Sequence, residues 1–264
     1  MNPYKMVVAV ANQKGGCAKT TTAVNLAAAL AKGNRKMGLP PAKVLLIDLD
    51  PQFNATTGIE ELLIEPKGNI YDALIRGTAS KDVVTKTKLE HLDIVTSTSD
   101  LVGAEVELVS IMAREHQLKK VLKPLLKKYD YILIDCPPSL GLLTLNALTC
   151  SDAVIIPIQC EYYALEGLGQ LLNTIRLVQK NLNPDLEIEG VLLTMYDGRL
   201  NLSKQVAEEV RSYFEDKTFK TVIHRNVSLS EAPSFGKPAL LYDANSTGAQ
   251  NYMSLVEEIL KDGN

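Results

Sequence analysis

The sequence predicts an α/β fold: a mostly parallel twisted sheet with helices on both faces. Apolar runs of strand length alternate with amphipathic runs of helix length along the whole chain. This alternation is typical of βαβ units, in which helices connect parallel strands. The 264 residues are enough for one large α/β domain, and no repeat or long linker divides them. We therefore expect residues 1–264 to form a single domain.

The predicted strands are short runs rich in β-branched and aliphatic residues. They span residues 6–11, 44–48, 92–95, 131–135, 153–157, 188–194 and 221–223. The predicted helices are richer in Ala and Leu or are amphipathic. They span residues 23–31, 101–127, 165–179, 203–214 and 246–260. In such a fold, ligands bind at the carboxyl ends of the strands.

Composition limits the function classes. The net charge is −3, so nucleic-acid binding would need a local basic patch. No apolar run approaches the roughly 18–20 residues of a membrane span, and no signal-peptide pattern is present. The four cysteines, Cys17, Cys136, Cys150 and Cys160, lack CxxC or His-paired spacing. We therefore expect no zinc site, no membrane association, and reduced thiols in the cytoplasm.

The most informative stretch follows the first predicted strand. A glycine-bearing turn leads into a helix that starts with Lys19 and Thr20. Backbone N–H groups and a helix N-terminus hold polyphosphates, a lysine reaches the outer phosphates, and a Thr hydroxyl ligates Mg²⁺. The ordinary G-x-x-x-x-G-K-[ST] pattern nevertheless fails, because Gln13 and Ala18 replace its two glycines. The deviant form, with Lys14 before the paired glycines, fits instead.

The alternative for this stretch is a glycine-rich turn with two surface lysines. Acidic strand ends argue against that alternative. One apolar strand ends in Asp48 and is followed by Asp50, and another ends in Asp135. A buried strand that ends in Asp is costly unless the charge is compensated, for example by Mg²⁺. A lone Asp there is often a helix cap or turn residue, but the combination predicts a nucleotide site.

Five motifs together resemble the ParA/Soj family of partition ATPases, a deviant Walker A branch of the P-loop NTPases that also includes MinD and the nitrogenase iron protein. The similarity covers nearly the whole chain, although the loop at 33–41 is longer than is usual in the family. The motifs are KGGCAKTTT (14–22), DLDPQ (48–52), DCPPSLG (135–141), QCEYYALEG (159–167) and NVSLSEAPSFGKP (226–238).

The resemblance implies catalytic roles for Lys14, Lys19 and Asp50. Lys14 corresponds to the signature lysine, which crosses an ATP-bound homodimer to the partner's phosphates. That second cation neutralises charge on the transferred phosphoryl group. Lys19 corresponds to the phosphate lysine in cis, and Asp50 to the residue that positions the attacking water.

The resemblance also implies the binding residues for ATP and Mg²⁺. The implied metal ligands are Thr20, Asp48 and Asp135. Pro137 and Pro138 would stiffen a switch segment, and loops after Thr194 and near Arg225 would recognise the base. The implied ATP-binding residues are Lys14, Gly15, Gly16, Cys17, Ala18, Lys19, Thr20, Thr21, Asp135, Pro138, Met195, Arg225 and Asn226.

Two loop residues are of special interest. Ala18 replaces a glycine that is common in the family. We expect this position to begin the helix, where Ala is nearly neutral; at positive φ it would cost on the order of 1 kcal/mol. Cys17 occupies the variable position of the motif, and we interpret it as a packing residue, although an exposed thiol there could be reactive.

The resemblance further implies non-specific DNA binding through basic residues of the C-terminal part. Candidates are Arg199, Lys204, Arg225 and Lys237, and the alternative is that these are ordinary surface charges. Relatives often carry Arg or Lys where this chain has Ser228, Leu241 and Thr247. Because DNA affinity depends steeply on the number of neutralised phosphates, we expect weaker, more salt-sensitive binding or a shifted patch.

The leading hypothesis is a dimerising ATPase that partitions chromosomal or plasmid DNA on the nucleoid, stimulated by a ParB/Spo0J-like partner. One alternative is the same ATPase with a protein cargo. MinD-type membrane recruitment would need a basic amphipathic tail, but residues 252–264 are acidic on their polar side. An iron–sulfur carrier would need paired cysteines, and neither Cys136 nor Cys150 has a cluster spacing.

Overall fold

The computed structural model describes residues 6–34, 37–162 and 167–262. Eight strands in these ranges form one sheet. They are β1 (Met6–Val10), β2 (Val44–Asp48), β3 (Leu63–Ile64), β4 (Val84–Thr87), β5 (Leu92–Val95), β6 (Tyr131–Asp135), β7 (Ala153–Gln159) and β8 (Glu187–Thr194).

The helices of the same ranges vary from one turn to more than four turns. They are α1 (Lys19–Lys32), α2 (Asn54–Thr57), α3 (Ile70–Leu74), α4 (Ser80–Val83), α5 (Leu101–Glu107), α6 (Gln117–Leu122), α7 (Leu142–Cys150), α8 (Leu168–Asn181), α9 (Asn201–Phe214), α10 (Val227–Glu231), α11 (Ala239–Tyr242) and α12 (Thr247–Asp262). Among the residues described, no helix combines the length and apolar character that crossing a bilayer requires.

The sheet is mostly parallel, as predicted. Its strand order is β3-β4-β5-β2-β6-β1-β7-β8, and β4 runs antiparallel to both of its neighbours. In the register of the central strands, Asp135 of β6 lies beside Val10 of β1 and Asp48 of β2. Both aspartates and the loop after β1 therefore meet at the carboxyl edge of the sheet.

Helices cover both faces of the sheet, which confirms the predicted fold class. Alternate residues of a strand point to opposite faces. Val7 and Ala9 belong to the core under α5 to α9, whereas Val8 and Val10 belong to the core under α1 and α12. The continuous apolar character of β1 thus reflects burial on two sides, as is usual for a parallel sheet.

Two predicted elements are wrong. Residues 221–223 are not a strand. Ile223 N donates to Leu193 O at 2.9 Å, but the isolated bridges to β8 and the residues after it are made by the flanking Thr218 and His224. The predicted helix 101–127 is interrupted. The chain leaves α5 through a 3₁₀ turn, Leu108–Ser110, and Ala113 has a φ of 52°, so α6 starts anew. Both halves pack against one core, which explains the uninterrupted apolar pattern.

The remaining predicted helices are confirmed with shifted ends. The predicted starts at 23, 203 and 246 become Lys19, Asn201 and Thr247. The predicted start of α8 at 165, like residues 163–166 of the motif 159–167, lies outside the described residues. The short strands β3 and β4 had no counterpart in the sequence prediction.

Candidate nucleotide-binding site

The loop between β1 and α1 is anchored to two neighbouring strands. Asn12 donates from Nδ2 to the carbonyl oxygen of Pro157 in β7 at 2.7 Å and accepts from Lys14 N at 3.0 Å. Thr194, the last residue of β8, donates from Oγ1 to the Cys17 carbonyl at 3.1 Å. The loop backbone is therefore held in place from the sheet edge.

The glycines keep one side of this loop open. Gly16 has a φ of 73°, a conformation that favours glycine. A Cβ atom at Gly15 or Gly16 would meet no atom of the described chain within 4 Å. Their amide groups therefore border open space at the N-terminus of α1, which is the geometry of a phosphate cradle.

Lys19 brings positive charge into the loop. Its side chain is buried, and Nζ donates to the carbonyl oxygen of Lys14 at 2.9 Å. The ammonium group also acts electrostatically on the carboxylate of Asp135. The in-cis lysine therefore stands between the loop and the acidic strand ends.

Asp48 is held by a dense set of donors. Its Oδ1 accepts from Asp50 N at 3.2 Å, and its Oδ2 accepts from both N and Oγ1 of Thr56, each at 2.7 Å. Burial raises the pKa of Asp48 to about 6, and the Thr56 hydrogen bonds partly oppose that rise. The side chain is thus fixed in orientation.

Asp135 is the least satisfied group of the site. Neither of its buried carboxylate oxygens has a hydrogen-bond partner of ordinary geometry in the described residues. Burial, and next the negative charge of Asp48, raise its pKa well above the usual range; the Thr20 hydroxyl and the Lys19 ammonium act in the opposite direction. A buried carboxylate in this state favours a cation beside it.

The oxygen donors around Asp135 fit Mg²⁺. Thr20, Asp48 and Asp135 supply the hard oxygen atoms that Mg²⁺ prefers, and Mg²⁺ in nucleotide sites usually keeps waters and binds phosphate oxygens as well. The described residues contain no cluster of three or more His, Cys, Asp or Glu that would hold a metal by itself. Such a site is suited to a metal that arrives with a nucleotide.

Asp50 lies at the edge of the same group of carboxylates. It is 5% exposed, and its Oδ1 accepts from Gln52 N at 2.9 Å. Ser97, at the end of β5, donates from Oγ to the Asp50 carbonyl at 2.8 Å. The backbone of the β2 end is therefore tied to the next strand.

The segments that were expected to contact the base come together. Arg225 N donates to the Tyr196 carbonyl at 3.0 Å, directly after Met195, whose φ is 52°. Arg225 also pairs with Glu161, Nη2 to Oε1 at 2.9 Å. The side chain of Asn226 caps α10 by accepting from Leu229 N.

The structure corrects the expectation for Ala18 and confirms the one for Cys17. Ala18 is the N-cap of α1 with φ 69° and ψ 33°, so it does not begin the helix. The chain must turn there from loop to helix, and the left-handed conformation costs an Ala on the order of 1 kcal/mol. Cys17 is buried, its Sγ lies 3.2 Å from the Lys14 carbonyl, and burial raises its pKa.

The DNA-binding candidates do not form one patch of free charge. Arg199 is 87% exposed but pairs with Asp197 at 2.7 Å, and Arg225 acts on the same carboxylate. Lys204 is exposed on α9. Lys237 is half-buried and lines a cavity of about 300 Å³ together with Thr20, Thr21 and Asn25.

Four residues that hold the site were not predicted: Asn12, Thr56, Ser97 and Thr194. Asn12 and Ser97 each lie two residues after a strand, and Thr194 is the last residue of one, at the carboxyl edge where a ligand would bind. Their location at the carboxyl ends of strands was the feature of the sequence that could have indicated them. Ser, Thr and Asn are common in loops, however, so their type alone does not identify them.

Comparisons with known proteins agree with this geometry. A family model described as an AAA domain matches residues 5–188. The sporulation initiation inhibitor protein Soj of Bacillus subtilis is 56% identical over 97% of this chain and 99% of its own length. The chromosome partitioning protein ParA of Myxococcus xanthus is 52% identical over 97% of this chain and 88% of its own length.

A solved structure shows the same architecture with ligands. It is cobyrinic acid a,c-diamide synthase from Mycobacterium smegmatis with a bound ATP analogue and magnesium. It has a TM-score of 0.81 and 36% identity, and the match covers 98% of this chain and 97% of that one. The loop geometry and the acidic strand ends agree with these similarities. The chain belongs to the Soj/ParA family of chromosome-partitioning ATPases, which use ATP and Mg²⁺.

Proposed function

We propose that this chain is a nucleotide-switched partition ATPase and that residues 1–264 act as one unit. ATP and Mg²⁺ bind at the β1–α1 loop, two ATP-bound copies pair, and the dimer binds DNA without sequence preference in the cytoplasm. A ParB/Spo0J-like protein stimulates hydrolysis and releases the DNA. The observation that carries the proposal is the buried Asp135 carboxylate beside Thr20 and Lys19, which has no hydrogen-bond partner of ordinary geometry among the described residues.

Phosphate binding follows from the open loop. The amides of Gly15 to Thr21 and the N-terminus of α1 hold the phosphates, and the Lys19 ammonium pairs with them in place of the Lys14 carbonyl. Thr20, Asp48 and Asp135 hold Mg²⁺ or its water shell. Bound Mg²⁺ supplies positive charge that neutralises phosphate oxygens. Asp50, fixed by Gln52 and Ser97, orients the attacking water.

Lys14 is suited to act on a second copy of the chain. Its backbone is fixed, because its amide binds Asn12 and its carbonyl accepts from Lys19. In the described part of the chain, its ammonium group has no hydrogen-bond or ion-pair partner. A lysine with a fixed backbone and an ammonium group that has no partner within the described chain can reach a phosphate across a dimer interface.

Base binding is proposed for Met195, Arg225 and Asn226. The pairing of the Arg225 backbone with Tyr196 brings these residues close to β8, and Thr194 connects that strand to the loop. Pro138, exposed after the buried Pro137, would border the phosphates from the other side.

DNA binding is proposed to be weak, so that it is lost at a lower salt concentration than in relatives with more basic residues at these positions. Arg199 and Arg225 are paired with Asp197 and Glu161, which lowers their net charge toward phosphate. Lys204 is exposed, but Lys237 is half-buried. Uncharged side chains stand at the three positions where relatives often have Arg or Lys, namely Ser228, Leu241 and Thr247. Fewer neutralised phosphates mean lower affinity.

The C-terminal helix offers little to a membrane. The apolar residues Tyr252, Leu255, Val256 and Ile259 of α12 are buried against the body of the protein. A membrane-binding helix would need that face free.

The proposal is tested by DNA co-sedimentation with ATP, ADP or no nucleotide across a salt series, with the mass of the particle measured in parallel. We expect the dimer and DNA binding only when ATP and Mg²⁺ are both present. DNA binding should be lost as the salt concentration rises. A monomer at saturating ATP and Mg²⁺ with hydrolysis blocked would contradict the dimer. Equal DNA binding with ATP, with ADP and without nucleotide would contradict the proposed nucleotide switch.

A further inference from the structure

The N-terminus of α7 is capped by a residue from a distant part of the chain. Glu105 of α5 accepts from Leu142 N at 2.8 Å through Oε2 and from Leu143 N at 3.3 Å through Oε1. The N-cap position itself is Gly141, which has no side chain to accept these bonds. The first amides of a helix have no partner within the helix, so the Glu105 carboxylate satisfies them.

Gly141 provides the room for this contact. A Cβ atom at this position would lie 2.5 Å from Oε1 and 2.7 Å from Oε2 of Glu105. The φ of Gly141 is −79°, which any residue can adopt. A side chain at this position would therefore displace the Glu105 carboxylate, although the backbone conformation would accept it.

The capped helix terminates the segment that leaves the nucleotide site. Residues 136–141 connect Asp135 to α7. The segment is tied at its start, where Cys136 N donates to Val10 O at 3.2 Å, and in its middle, where Thr144 Oγ1 donates to Ser139 O at 2.6 Å. The far end of the segment is held by the hydrogen bonds of Glu105 to the start of α7. The exposed Pro138 lies between the contacts at Cys136 and Ser139.

Glu105 stands on a helix that is itself well fixed. Leu101, Ala104 and Leu108 of this region are fully buried in the core. Glu107, two residues further on, is exposed and accepts a hydrogen bond from the Tyr71 hydroxyl at 3.1 Å. It therefore provides a matched acidic control on the same helix.

We propose that Glu105 is a positioning residue for ATP turnover: its carboxylate holds the far end of the 136–141 segment so that Pro138 keeps its place beside the phosphate loop. This inference rests on the ATPase function proposed above. The loop that binds phosphate belongs to β1 and α1 and does not include the segment. Loss of the cap should therefore slow turnover without weakening ADP binding.

The kinetic test uses Glu105→Ala, Glu105→Gln, Gly141→Ala and the double variant Glu105→Ala/Gly141→Ala. We expect kcat to fall by up to about tenfold in Glu105→Ala, the limit reached when all the free energy of a helix cap is lost from the transition state, while the Kd for ADP stays within about twofold. Glu105→Gln retains one acceptor oxygen and should be intermediate. Gly141→Ala should resemble Glu105→Ala, and the double variant should be no slower than the slower single variant.

A structural test needs no activity. Amide hydrogen exchange at residues 141–146, measured without nucleotide, should be faster in Glu105→Ala than in the wild type, and unchanged in Glu107→Ala. Unchanged exchange in Glu105→Ala, or a loss of ADP affinity as large as the loss of kcat, would overturn the inference. Absence of ATPase activity in the wild type would instead overturn the proposed function, so the two failures are distinguishable.

Discussion

The hydroxyl groups of Thr22 and Tyr252 lie 3.1 Å apart in the interior of the protein, and they join α1 to α12. Both residues are essentially inaccessible to solvent. Tyr252→Phe leaves the Thr22 hydroxyl buried without its partner, so we expect the free energy of unfolding to fall by about 1–2 kcal/mol in urea denaturation.

The coupling of these two hydroxyls is measurable. Thr22→Val should cost a similar amount, and the double variant should cost less than the sum of the single variants, because both remove the same hydrogen bond. Tyr213→Phe is the control, since Tyr213 is 62% exposed and its loss of the hydroxyl should leave stability unchanged. Strictly additive costs would show that the two hydroxyls do not interact.

The strained Ala18 yields a stabilising substitution. Ala18→Gly should raise the free energy of unfolding by about 1 kcal/mol, because glycine adopts the φ of 69° without the Cβ clash. Ala28→Gly, in the interior of α1, should lower it by at least about 1 kcal/mol. A decrease in stability for Ala18→Gly would mean that the left-handed conformation at this position is incorrect.

Lys14→Ala should abolish ATP-dependent dimerisation while ATP binding by the monomer remains, since Lys19 stays in the loop. Sedimentation velocity with ATP and Mg²⁺ measures the first property, and equilibrium binding measures the second. Lys43→Ala, which removes an exposed lysine at the opposite edge of the sheet, serves as the control. Dimerisation of Lys14→Ala at the wild-type level would contradict a role in trans.

Asp50→Ala should lower kcat by at least about 100-fold, the size typical of a lost acid–base or water-positioning group. The ATP-bound dimer should persist and hold DNA, because the phosphate loop is unchanged. Phosphate release and dimer lifetime are the measurements. Asp100→Ala, an exposed carboxylate near α5, is the control, and brisk hydrolysis by Asp50→Ala would remove Asp50 from this role.

The cysteines should react slowly with iodoacetamide at pH 8. Burial raises the pKa of all four thiols, to about 12 for Cys150 and about 11 for Cys160. Since only the thiolate reacts, alkylation should be on the order of 100-fold slower than for a free thiol and should rise with pH. Mass spectrometry in buffer and in denaturant measures this difference. Rapid labelling of Cys17, Cys136 or Cys160 in the folded protein would contradict their burial.

The central strands were predictable because their chemistry is local. The bounds of β2, β5 and β6 match the predictions. β2 and β6 are buried on both faces and are apolar up to a final Asp, and β5 contains one polar residue, Asp93. The edge strand β3 and its neighbour β4 escaped prediction, because β3 has two residues and β4 mixes polar and apolar ones. The interruption between α5 and α6 at Ala113 was not predicted either, because alanine is not a residue type that indicates a positive φ.

The site shows the same division. Asp48, Asp50 and Asp135 stand out in the sequence, because charged residues at the end of an apolar strand are unusual and carry a specific cost. Lys14 and Lys19 stand out from their places around the paired glycines, and the roles of all five residues stay predictions. The residues that hold these side chains and their backbone in place by hydrogen bonds were not predictable. Thr56 and Ser97 are ordinary loop residues in sequence, and only the fold brings them to the end of β2.

The sequence by itself determined the fold class, the carboxyl-edge site and the family, because periodicity, strand ends and motifs are all properties of neighbouring residues. Only the tertiary structure decided that Ala18 is left-handed, that Arg225 is paired with Glu161, and that Glu105 caps α7. These features depend on contacts that are created when the chain folds. A contact between residues that are distant in sequence leaves no periodic trace along it.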